Sequence, residues 1–114
     1  METATKITAE ESKAIAAEIL NQLGGNKFIV MTGSKNFMCD GPSLRMNLSR
    51  NKSKAKWLKI TLTSMDDYTM DFFTADKEFN IITKAKREGV TCDILQAVFT
   101  EVTGLYTSLG TMGR

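Results

Sequence analysis

The chain has 114 residues and not one histidine. That absence removes the commonest general base and the commonest metal ligand. It excludes zinc sites, Ser/His/Asp triads and Cys/His dyads in their usual forms. There are two cysteines, Cys39 and Cys92. They are too few for a disulfide framework and form no CxxC pattern, so they read as reduced thiols of a cytosolic protein. One proline and eight glycines leave little room for a disordered linker. No apolar run approaches the roughly 20 residues needed to span a bilayer, and the polar start Met-Glu-Thr-Ala-Thr does not read as a signal peptide. Neither GKS/T nor GxGxxG occurs. The carboxylates fall into no motif that would pair an acid with a base, and their spacing does not follow an EF-hand loop. The expectation is a non-enzymatic protein with no catalytic residues, no cofactor and no metal.

What is present is ordinary in amount and unusual in arrangement. Hydrophobic content is 42%, charged content 25%, and net charge +2. This suits one globular domain. The charge, however, is sorted along the chain. Arg45 to Lys59 carries six cations (Arg45, Arg50, Lys52, Lys54, Lys56, Lys59) and no acid. Asp66 to Glu78 carries five acids (Asp66, Asp67, Asp71, Asp76, Glu78) against one cation, Lys77. With so small a net charge, any attraction for nucleic acid must come from a patch.

Hydrophobic periodicity sets the expected architecture. Thr8 followed by Glu11 is a capping box. Ile15, Ile19 and Leu23, with Ala16 and Leu20, form a helical stripe that Gly24-Gly25 ends. Phe28-Ile29-Val30-Met31 reads as a buried strand. Gly33-Ser34 then fits a tight turn, and Asn36–Cys39 an antiparallel return. Asp40-Gly41-Pro42-Ser43 is a turn. Alternation follows in four segments: Leu44, Met46 and Leu48; Leu58, Ile60 and Leu62; Tyr68, Met70 and Phe72; Phe79 and Ile81. Period two with polar residues between predicts an antiparallel sheet with one wet face. A last helix runs from an N-cap at Thr91 through Leu95, Val98, Val102, Leu105 and Leu109 to Gly110, with Ile94, Phe99 and Tyr106 widening its stripe and Gly104 marking a close contact or an early kink. The fold class is α+β: N-terminal helix, antiparallel sheet of five to six strands, C-terminal helix, with both helices on one sheet face. Residues 1–7 are expected as a flexible N-terminus and 8–110 as a single domain.

Two surface segments are candidate sites. In an extended loop Arg50, Lys52, Lys54 and Lys56 would form a comb of cations on one side. Trp57, out of phase with the inward Leu58, falls on the outer face near Lys59, and Arg45 shares that phase. Cations beside an aromatic hold single-stranded nucleic acid by stacking and electrostatics. The same lysines would also guard an exposed sheet edge against aggregation. Asp66, Asp67 and Asp71 form the acidic surface, able to face a basic partner or to pair with the neighbouring basic hairpin. Asp66-Asp67 also suit a turn for backbone reasons alone. The Thr32–Asn36 loop reads first as a turn, though its amides could meet an anion.

The segments Ile19-Leu-Asn-Gln-Leu-Gly-Gly-Asn-Lys-Phe28, Met31-Thr-Gly-Ser-Lys-Asn-Phe37, Lys59-Ile-Thr-Leu-Thr63 and Val98-Phe-Thr-Glu-Val-Thr-Gly-Leu-Tyr106 together resemble a group of small proteins encoded by phages, prophages and other mobile elements of gut and related bacteria. In size and genomic setting that group is similar to inhibitors of bacterial immunity, including anti-CRISPR proteins directed at type II effector nucleases. The resemblance implies a cytoplasmic phage-type protein of the bacterial host. It would inhibit a defence nuclease by protein–protein contact, the partner being a CRISPR effector. It brings no catalytic or ligand residue with it. A simple DNA mimic should be strongly acidic, which the +2 charge and the basic hairpin contradict. That inhibitor is the leading expectation; the runner-up, motivated by Arg45, Arg50, Lys52, Lys54, Lys56, Lys59 and Trp57, is a small single-stranded DNA- or RNA-binding accessory protein of phage replication or recombination. A homo-oligomeric assembly protein is the third expectation.

Overall fold

A computed structural model describes residues 8 to 105. The expected flexible N-terminus, and Tyr106, Leu109 and Gly110 of the expected last helix, lie outside the described residues. The order is α1 (Ala9–Leu23), α2 (Asn26–Thr32), β1 (Lys35–Asp40), β2 (Ser43–Asn47), β3 (Trp57–Leu62), β4 (Tyr68–Ala75), β5 (Ile81–Val90) and α3 (Leu95–Thr103). The strands form an antiparallel meander in sequence order. The chain is α+β, with an N-terminal helix, a five-stranded sheet and a C-terminal helix.

The capping box starts α1: the Glu11 amide donates to Thr8 Oγ1 at 3.1 Å and the Thr8 amide to Glu11 Oε1 at 3.0 Å. Ile19 and Leu23 are fully buried. Ser12 Oγ donates to the Gly41 carbonyl at 2.8 Å, tying the helix to the β1–β2 turn. α1 lies against β1 and β2, and α3 against β5 and α1. The inward phases are those of the alternation: Leu44 and Met46, Leu58 and Ile60, Tyr68, Met70 and Phe72 are all buried. Phe99 of α3 meets Phe28 edge to face at 5.0 Å and Phe72 at 6.4 Å. Each such ring pair adds about 0.5–1.5 kcal/mol beyond area burial.

Four expectations are corrected. Phe28–Met31 is not a strand but the centre of helix α2. Gly24 and Gly25 both take positive φ, and their amides return to the Leu20 carbonyl, so the chain reverses and a second helix starts at once. Phe28 and Thr32 are buried while Val30 is 80% exposed, a one-sided helical pattern. Packing of Phe28 on Phe99 overrides the weak helix propensity of Ile29-Val30. Consequently β1 follows no strand among the described residues, and its partner is β2.

Phe79 belongs to no strand. It sits in the β4–β5 turn at φ 67° and is 86% exposed. Strand β5 continues instead through the basic, weakly apolar run to Val90, with register shifts against β4 that break the period of two. Finally, Gly104 ends α3 rather than kinking it. At φ 78° its amide donates to the Thr100 carbonyl, a left-handed cap. Ahead of α3, Thr91 precedes a single 3-10 turn, Cys92–Ile94, and its hydroxyl bonds Asp93 instead of capping the backbone.

Candidate nucleic-acid interface

The sheet face turned away from α1 and α3 is organised in rows across the strands. One row reads Lys35, Asn47, Trp57, Phe73, Thr83, each residue directly opposite the next. The adjacent row reads Met38, Arg45, Lys59, Asp71, Lys86. Directly opposite residues share a face of the sheet, so a cation, an amide, two rings and a hydroxyl stand side by side. The Trp57 indole stacks on Phe73 at 5.8 Å with an interplanar angle of 27°. The Arg45 guanidinium lies over the same Phe73 ring at 5.8 Å, a cation–π contact.

Beyond the end of β2 the chain does not extend as a comb. It folds into a compact loop built around Asn51. The Asn51 amide nitrogen donates to the carbonyls of Ser49 (2.7 Å) and Ala55 (3.0 Å). Its oxygen accepts from the Ser53 amide at 3.0 Å and from the Ser53 hydroxyl. Lys54 closes the turn, its amide donating to the Asn51 carbonyl at 3.1 Å with φ at 66°. Ala55 is buried beneath it. Two backbone bonds moor the loop to the body: Lys52 N–H to the Thr103 carbonyl at 3.0 Å and Lys56 N–H to the Phe73 carbonyl at 3.0 Å.

This bend makes a concave surface. A cleft of about 740 Å³ opens between the loop and the edge of the sheet. Its walls carry Lys35, Arg50, Lys54, Lys56, Asn47 and Trp57, with no acid among the described residues that line it. Four of the seven basic-segment residues therefore converge: Arg50, Lys54, Lys56 and Trp57. Lys52 does not join them. It faces the C-terminus of α3, where a Cβ on Gly104 would come within 3.3 Å of Lys52 Cδ. Arg45 and Lys59 lie in the neighbouring row of the same face, and Lys59 pairs with Asp40 at 3.5 Å. Both partners of that ion pair are solvent-exposed enough for it to contribute little.

The acids do not assemble in the same way. Asp67 accepts from the Thr63 hydroxyl at 2.5 Å within the β3–β4 turn, and Asp66 occupies that turn at φ 65°. Asp71 stands in register between Lys59 and Lys86. Asp76 organises the β4–β5 turn, accepting from the amides of Glu78 and Asn80 at 2.9 Å each. The backbone bond from Asn80 is the main reason its carboxyl lies below the ordinary aspartate value. Burial pushes the Tyr68 phenol above its usual value, in keeping with its place in the core.

Lys35 and Asn47 escaped the sequence reading. The only hint was the polar Thr32–Asn36 loop, and it pointed to backbone amides. In the structure Thr32 and Ser34 are buried and bonded to one another at 2.8 Å, which leaves Lys35 as the residue facing the cleft. Among the described residues no group of three or more Cys, Asp or Glu is placed to hold a metal ion. No helix among them is long and apolar enough to cross a membrane. Both cysteines are free and exposed. Comparison of the chain with protein-family models, curated proteins and solved structures finds no match.

Proposed function

We propose that the protein is a non-enzymatic binder of single-stranded DNA or RNA, of the kind that accompanies phage replication or recombination. The observation that carries this reading is the cleft: four cations and the half-buried Trp57 line one concavity, with no acid among the described residues that line it. A phosphate backbone would lie along Lys35, Arg50, Lys54 and Lys56 while a base stacks against Trp57. Flexible single strands can bring base and phosphate to the cleft together; a duplex hides its base faces. The pinned loop matters energetically, because a wall already ordered loses less entropy when the strand arrives.

The test is fluorescence anisotropy of labelled single-stranded oligonucleotides across a salt series. Each phosphate neutralised on a single strand contributes about −0.7 to the slope of log K against log salt, so four contacts give a slope of about −3. A slope near zero, or no binding at low salt, would remove the proposal.

A second reading has its own observation. At the β4–β5 end Phe79, Ile81 and Ile82 are exposed beside Asp76 and Glu78, and exposed apolar clusters mark protein contacts. They support an inhibitor of a bacterial defence nuclease, such as a type II CRISPR effector, acting by protein–protein binding. A pull-down and cleavage assay with such an effector and its guide RNA decides this. Unimpaired cleavage and no co-purification would exclude that target.

A further inference from the structure

Resting on the single-strand reading above, we propose that the cleft is selective for purines, with Trp57 stacking the base and Asn47 donating its carboxamide N–H to the purine N7. Asn47 is the unexplained residue of the row. Asparagine is depleted in strands because it packs poorly on a pleated surface, yet it occupies the last position of β2, between Lys35 and Trp57 on the open face. It is half-buried, and no hydrogen bond to its side chain is formed among the described residues. Its polar atoms are not sealed from solvent either. Asn51, four residues on, offers the contrast: both ends of its amide are spent holding the loop. One amide in the cleft wall builds the wall, and the other is free to face a ligand.

The chemistry of the ligand follows from the neighbours. Asn47 and then Lys35 follow Trp57 along the row, so they are the polar neighbours available to the edge of a base placed against the indole. Both are donors: a carboxamide N–H and an ammonium. Adenine and guanine share an N7 acceptor on that edge, whereas pyrimidines have no N7. The larger purine face also stacks more strongly on an aromatic side chain, and stacking is the sequence-tolerant part of such sites. Asn47 can in addition accept from the adenine N6 amino group, while Lys35 matches the two acceptors of guanine. The two donors therefore favour the purine class over one member of it.

The experiment compares three labelled oligonucleotides of equal length with the full chain at one salt concentration: oligo(dA), the same strand carrying 7-deazaadenine, and oligo(dT). One hydrogen bond lost on exchange of N7 for carbon should weaken binding about fivefold, and oligo(dT) should bind about tenfold more weakly than oligo(dA). In Asn47→Val, chosen because valine suits a strand, the 7-deaza difference should vanish while salt-dependent binding persists. Equal binding of oligo(dA) and its 7-deaza form by the wild-type chain would overturn the purine proposal and leave the single-strand reading intact. That comparison needs no variant to fold. Retention of the 7-deaza difference by Asn47→Val would overturn the role of Asn47. Absence of salt-dependent binding to every strand would overturn both.

Discussion

The β2–β3 loop and the β4–β5 turn are charged tips of the same meander, and they are built on opposite plans. The β2–β3 loop is held by bonds to distant parts of the chain, Lys52 to Thr103 of α3 and Lys56 to Phe73 of β4, with Ala55 buried under it. The β4–β5 turn is held almost entirely by itself: Asp76 takes the amides of Glu78 and Asn80, the Phe79 amide donates to its carbonyl, and residues 76 to 80 are all exposed. The first arrangement bends the chain over the sheet and gathers cations into a concavity. The second projects outward, leaving acids and a phenylalanine convex in solvent. A run of like charge becomes a candidate site when tertiary bonds curve it around a cavity; a locally closed turn only displays it.

The largest expected effect breaks that contrast at the cleft. Arg50→Ala/Lys54→Ala/Lys56→Ala should weaken single-strand binding about 100-fold, taking roughly 1 kcal/mol for each phosphate contact. Its salt slope should fall to about −1, the one remaining contact being Lys35. Anisotropy titrations of the variant read both numbers. If Asp76→Ala/Glu78→Ala changed affinity as much, the two tips would not differ in the way described.

Next in size is the loop's hub. Asn51→Ala leaves the Ser49 and Ala55 carbonyls and the Ser53 amide without their partner. Loss of such part-buried bonds costs about 1–3 kcal/mol. Thermal denaturation should show that loss, and strand affinity should drop with it although no cation has been removed.

A smaller effect concerns pH at the β4–β5 turn. The folded carboxyl of Asp76 lies below its unfolded value because backbone amides, that of Asn80 first, bond its charged form. Its contribution to the turn is therefore present above the unfolded value and is lost as pH falls through the folded one. Carbon-detected NMR should find Asp76 titrating below the ordinary aspartate range, with the Glu78 and Asn80 amides shifting in step. In Asp76→Asn that coupled shift disappears, and strand affinity at neutral pH is unchanged.

The smallest effect singles out one lysine. Lys52 stands amid the basic run but faces α3 and Gly104. Only its main chain anchors the loop, and substitution keeps that. Lys52→Ala should alter affinity by less than about twofold, as surface changes outside a site do. Equality with Lys54→Ala would restore the extended comb that the folded loop replaces.

The framework was legible where sequence patterns are local. The Thr8/Glu11 box, the Asp40–Ser43 turn and the alternation of Leu44, Leu58 and Tyr68 segments each depend on neighbours a few residues away, and each forms as read. Phe28–Met31 misled because a four-residue apolar run has no period long enough to separate strand from helix; the double-glycine reversal and the distant Phe99 decided it. Strand β5 was missed beyond Ile82 because an edge strand with shifted register and one buried residue, Val90, carries little apolar signal. In the candidate site, Arg50, Lys54, Lys56 and Trp57 were visible as a charge run with an aromatic. Lys35 and Asn47 were not, since the β2–β3 register sets Asn47 opposite Trp57 and the β1–β2 register then sets Lys35 beside Asn47. The exclusion of Lys52 likewise depends on α3, about fifty residues later in the chain.

Trp57 is the only tryptophan in the chain, so its emission reports on the cleft alone. Titration of the full chain with a single-stranded oligonucleotide at low salt, followed by its intrinsic fluorescence, tests the central claim most directly. Stacking of a base against the indole should quench the emission saturably, with the apparent Kd rising steeply as salt is added and the quench reversed. Emission that stays constant while binding is seen by another probe, or a quench indifferent to salt, would contradict the assignment of the cleft.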